Sequence, residues 1–113
     1  MSTLNRSALV IKPKQPFVDW INSVDATSPV TLEQACDEPS VYLLPTCDTE
    51  EDLAKVLRVV YEEIFEDELS SWYTEPECWP KDRSFAVFRR WCDWQWHSMV
   101  VDLCGDPLIH EAD

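Results

Sequence analysis

Apolar positions along this chain recur at several different spacings. "SALVIK", residues 7–12, is short and rich in β-formers, and Pro13 ends it, which predicts a strand. In "PFVDWINSV" the residues Phe17, Trp20, Ile21 and Val24 fall at i, i+3, i+4 and i+7, one face of a helix. Pro16 suits its first turn, where a missing N–H costs nothing. Residues 25–39 are polar, carry Pro29 and Pro39, and read as a connection with one short helical turn at "TLEQAC". "SVYLLP", residues 40–45, is a second strand, apolar enough for burial on both faces.

A long helix starts at "CDTEEDLAKVL". Asp48 or Thr49 is its N-cap, and acidic residues fill its first turn, where the helix dipole favours them. Leu53, Val56, Leu57, Val60 and Ile64 form its buried stripe, which then moves round to Phe65, Leu69 and Trp72. Residues 73–82 are a loop with Pro76 and Pro80. A last helix is expected over 84–104, stopped by Gly105 and then Asp106-Pro107. At 100° per residue it carries two apolar stripes. Phe85, Phe88, Cys92, Trp96, Met99 and Leu103 form the core stripe, and Val87, Trp91, Trp94 and Val101 the opposite one. The Trp91/Trp94 face is either covered within the fold or open to a partner or a second copy.

The expected architecture is α+β and helix-rich, of order β–α–β–α–α, with a small sheet packed against long helices. A crossover of this length between the two strands implies a parallel pair. Two strands make a weak sheet, so a third is required from residues 25–39, a terminus or a partner chain. The 113 residues form one domain, ordered over about 6–105, with residues 106–113 as a mobile tail.

Composition narrows the functional classes. The single glycine, Gly105, excludes a P-loop or a dinucleotide-binding fingerprint, both of which need several. The five cysteines show no C-x-x-C spacing, so reduced thiols are expected. No apolar run reaches the length of a membrane span, and the N-terminus shows no export signal, so a cytoplasmic protein without membrane contact is expected. Net charge is −13, from 22 acidic and nine basic side chains, a field that repels nucleic acid and favours basic partners.

That charge is concentrated. Residues 48–77 hold eleven acidic and two basic side chains, and the belt "EEIFEDE" contributes Glu62, Glu63, Glu66, Asp67 and Glu68. Carboxylates one helical turn apart can hold a hard cation, but there is no Glu-x-x-His pair and no EF-hand loop. No metal, cofactor or catalytic residue is assigned.

The belt is expected to be a solvated face that docks a basic partner protein, with Trp72, Trp91 and Trp94 as apolar anchors. A second reading is a small enzyme or ligand-binding domain with a pocket at Arg90, Asp93 and His97. A third is a homodimer through the Trp91/Trp94 face with no other activity. "NRSALVIKPKQPFVDW", "VYLLP" and "EEIFEDEL" together resemble small acidic bacterial proteins, a resemblance that implies no activity, ligand or site residue.

Overall fold

The computed structural model describes residues 1–111. At its centre lies a three-stranded antiparallel sheet in the order β3-β2-β4, built from Ser40–Pro45, Arg6–Pro13 and Cys92–His97. The helices are α1 (Gln15–Val24), α2 (Leu32–Ala35), α3 (Glu50–Ser70) and α4 (Phe85–Trp91). Two short strands, β1 (Ser2–Thr3) and β5 (Val101–Asp102), pair as a separate antiparallel ribbon. The α+β class is as the sequence predicts.

Within that class the sheet differs from the expected one in two ways. First, β2 and β3 are antiparallel, with Ile11 opposite Ser40 and Arg6 opposite Pro45. The end of β2 therefore lies beside the start of β3. Helix α1, ten residues long, advances only about 15 Å, and residues 25–39 bring the chain back. Connection length alone did not fix direction, because this connection goes out and returns.

Second, the expected helix over 84–104 stops at Trp91. Its remainder becomes β4, which pairs antiparallel with β2 and supplies the third strand. The switch needs no loop. Cys92 is already extended, its N–H donates to the Phe88 carbonyl, and the Trp91 carbonyl accepts from the Lys14 N–H at 2.7 Å. Along "CDWQWH" the burial alternates strictly, with Cys92, Trp94 and Trp96 inward and Asp93, Gln95 and His97 outward. Trp94 and Trp96 thus share one face, opposite Ile11 and Leu9 of β2. Gly105 is no helix cap, since it lies beyond β5 and has no positive φ. Of the expected tail, residues 106–111 are exposed and irregular, and 112–113 lie outside the described residues. Ser2 and Thr3, ahead of the expected ordered range, pair with Asp102 and Val101.

One face of the sheet packs on the helices. Leu9 and Ile11 of β2 are fully buried there beside Leu53, Leu57, Ile64, Phe65 and Leu69 of α3. Thr49 caps α3 by accepting from the Asp52 N–H. Beyond Ile64 the buried positions turn toward α1 and α4, where an aromatic cluster fills the space. Phe65 lies 6.4 Å from Phe17, 5.6 Å from Phe88 and 5.8 Å from Trp91 between ring centroids. Phe88 stacks on Trp94 at 5.4 Å with 13° between planes. Such contacts add to simple area burial. The indoles of Trp20 and Trp79 donate to the carbonyls of Cys78 and Tyr73, each at 2.8 Å.

Phe88 is fully buried and holds α4 against both α3 and β4. Phe88→Ala is expected to lower unfolding free energy by about 3–5 kcal/mol in urea titration. The α3 substitution Val59→Ala, at a side chain 81% exposed, is expected to change it by no more than about 0.5 kcal/mol.

Candidate functional site

The acidic belt of α3 divides by helical position. Glu62, Glu63, Glu66 and Asp67 are exposed, whereas Glu68 is only 7% exposed. Glu68 stands four residues after Ile64, three after Phe65 and next to Leu69, all buried. The same 3.6-residue period that buries those three turns Glu68 inward, so it leaves the docking face to which the sequence assigned it. Periodicity carried this signal; the run of acidic letters hid it.

The partner of Glu68 comes from β3. The Tyr42 hydroxyl oxygen lies 2.6 Å from Asp67 Oδ2 and 2.7 Å from Glu68 Oε2. A phenol has one proton and can donate to one carboxylate. The second contact closes as a hydrogen bond when that carboxyl is itself protonated and donates to the phenol oxygen. Glu68 is the more buried of the two. Burial raises its pKa and the charge of Asp67 adds to this, while hydrogen bonds from Tyr42 and Ser40 act the other way. The single Tyr42 proton is therefore shared between two carboxyls, Asp67 at the surface and Glu68 inside. Burial, with both carboxylates, also drives the Tyr42 pKa upward, so the phenol stays protonated.

Tyr42 and Asp67 of this network line a groove of about 340 Å³ between α3 and β3. Its lining is Tyr42, Leu43, Leu44 and Pro45 from the strand and Val60, Glu63, Ile64 and Asp67 from the helix. No β2 residue and no basic residue lines it. It therefore runs along the free edge of β3, apolar within and negative at the rim. On the other flank of α3, Glu62 and Glu66 share a depression with Lys81 and Arg83, which offset their charge. The sheet's other edge is bordered by two basic side chains and one acidic one, Glu50. There a groove of about 590 Å³ lies between α3 and β4, with Leu53, Leu57, Phe85, Trp94 and Trp96 among its walls and Arg58 and Arg89 beside them. The Arg58 guanidinium sits 4.1 Å from the Phe85 ring centroid.

The remaining sequence-predicted residues are dispersed. Trp91 and Trp94 are half-buried and pack into the aromatic cluster, Trp91 within 5.7 Å of Phe17 and 6.1 Å of Trp20. They do not share one helix stripe, because the chain changes from helix to strand between them, and Trp94 also lines the groove beside β4. Trp72 is 37% exposed and lines a separate cavity of about 220 Å³ with Glu68, Ser40 and Ser71. Asp93 and His97 point outward from β4, on the sheet face away from the helices. Arg90 lies on α4 in a depression with Lys14, Asp82 and Arg89, which neither Asp93 nor His97 lines.

Other chemistry is sparse. Among the described residues no three His, Cys, Asp or Glu side chains converge as a metal site requires. All five cysteines are unpaired. Burial raises the thiol pKa of Cys92 and of Cys47, the reverse of what a reactive thiolate needs. No helix of the described residues is long and apolar enough to cross a membrane.

The Glu68 carboxyl has a pH signature. Its folded pKa is raised above the ordinary value near 4.5, so its contribution to stability is full below that value and is lost as pH rises through the folded pKa. Glu68→Gln keeps a donor for the Tyr42 oxygen and does not ionise. It is expected to stabilise the fold at pH 8 by on the order of 1 kcal/mol and to leave it unchanged near pH 4, as read by thermal melts at both values. No family model matches this chain, and neither the curated proteins nor the solved structures contain a match to it.

Proposed function

We propose that this chain is a non-catalytic interaction protein that binds a basic partner through the exposed carboxylates of α3 beside the free edge of β3. The observation that carries this reading is the placement of Glu63 and Asp67 at the rim of an apolar groove that no basic residue lines. Glu62 and Glu66, on the other flank of the helix, are exposed as well, with Lys81 and Arg83 offsetting part of their charge. With a net charge of −13 behind them, these groups attract a basic surface over a distance set by ionic strength. Exposed Leu43, with Val60 and Pro45 in the groove, supplies the apolar contact that charge alone lacks. Reduced thiols and a cytoplasmic setting belong to the same proposal.

The expected result is a loss of about tenfold in affinity for a labelled Lys-rich peptide when Glu62, Glu63 and Glu66 become Gln and Asp67 becomes Asn, measured by fluorescence anisotropy at low salt. A control with the same charge change, Glu33→Gln, Asp37→Asn, Glu75→Gln and Glu77→Gln, removes four exposed carboxylates elsewhere. It is expected to shift affinity no more than about twofold, through the long-range field alone. Equal losses in the two variants would mean that only net charge acts and that α3 presents no site.

A further inference from the structure

Strand β3 is an edge. It pairs with β2 on one side only, and the groove bounded by α3 lies along its other side. An unpaired edge presents backbone N–H and C=O groups in a row, a ready template for another strand, and proteins ordinarily shield such an edge with charges, prolines or a covering element. Here shielding is confined to the ends, where Pro39 precedes the strand and Pro45 closes it. Between them Val41 and Leu43 are 62% and 48% exposed. The open stretch, residues 40–44, carries no charged side chain.

The two sides of this edge differ in chemistry. Ser40, Tyr42 and Leu44 point toward the helices, where Glu63 and Asp67 wait at the rim. Val41 and Leu43 point to the outer face of the sheet, beside Val10 and Ala8 of β2. A strand laid along β3 alternates its side chains in the same way. One set of its residues meets the carboxylates, and the other set meets Val41 and Leu43. Spacing agrees as well. Residues four apart on a helix are about 6 Å apart along its axis, and alternate residues of a strand about 6.8 Å apart. Two cations at i and i+2 of an added strand therefore match Glu63 and Asp67.

We propose that the basic partner docks as an extended segment that adds a fourth strand at the free edge of β3, and that this segment alternates basic and apolar residues. The proposal rests on the acidic-face reading above and specifies the form of its ligand. Backbone pairing holds the segment, the carboxylates select every second residue as Lys or Arg, and the outer face selects the others as apolar. The prolines limit the contact to about five residues, or about 17 Å of strand.

The test uses two labelled peptides of one composition against the full chain, Lys-Val-Lys-Val-Lys and Lys-Lys-Lys-Val-Val, each blocked at its termini. The alternating peptide is expected to bind at least tenfold more tightly, and N-methylation of its backbone amides is expected to abolish that advantage. Val41→Thr with Leu43→Thr, at exposed positions and without change of charge, is expected to weaken the alternating peptide selectively and bring it level with the reordered one. Glu63→Gln, which leaves the Tyr42 network intact, is expected to weaken both. If both peptides bind equally and both weaken with Glu63→Gln, strand addition is overturned while the acidic-face reading stands. If neither binds, or if Glu63→Gln changes nothing, the acidic-face reading falls with it.

Discussion

Everything in this fold is referred to one strand. β2 has partners on both sides, so its backbone groups are satisfied by β3 and β4, and Leu9 and Ile11 on its inner face are fully buried. That burial works only because β3 and β4 arrive from distant parts of the chain to flank it. The Ser7 hydroxyl marks how closely they are joined. It accepts from the Cys47 N–H at 2.8 Å and lies 3.0 Å from the Ser98 carbonyl oxygen, tying the exits of β3 and β4 to the start of β2. A buried hydroxyl with these partners is costly to leave unpaired, so the three segments are held in one register.

With β2 saturated, the unpaired edges of the three-stranded sheet are the outer sides of β3 and β4, and α3 borders both. Its flank toward β4 supplies Arg58 beside Phe85, Trp94 and Trp96. Its flank toward β3 supplies Glu63 and Asp67. A chain of uniformly negative charge would show no such contrast. The buried stripe fixes the rotation of α3, and that rotation assigns each charge to an edge. Glu68 falls on the inward side, where it and Asp67 meet the Tyr42 hydroxyl, so the belt divides into carboxyls tied to the fold and carboxyls that face solvent alone. The strongly acidic composition thus resolves into a small number of placed groups.

How far the residues alone reveal this varies from element to element. Helices α1 and α3 were legible because their apolar spacing is unambiguous and proline or a capping threonine marks their starts. Strand β4 was misread as helix although "CDWQWH" alternates apolar and polar at every step, a period-2 signal six residues long. Alanine, valine, phenylalanine and arginine just before it read as helix, and Gly105 just after it looked like a helix cap. A 3.6-residue period drawn through both parts absorbed the strand. On one helix stripe Trp91 and Trp94 would share a face, whereas with Trp91 on α4 and Trp94 on β4 both pack half-buried against the aromatic cluster. Glu68 was misplaced for the opposite reason: its charge outweighed a helical position shared with Ile64, Phe65 and Leu69.

The sequence by itself determined the α+β class, the ends of the long helix, the buried stripe of α3 and the concentration of negative charge on its other faces. These follow from local propensity and from periods of a few residues, which act over one or two turns of chain. Only the tertiary structure decided the direction of β3, the existence of β4, the packing of Trp91 and Trp94 against the aromatic cluster and the pairing of Tyr42 with Glu68. Each depends on contacts between residues tens of positions apart, such as Tyr42 with Glu68 or Leu9 with Trp96. Local pattern does not encode which of several apolar segments reaches the free edge of β2. That choice is made by the competition to bury Leu9 and Ile11 while leaving no backbone group of the central strand unpaired.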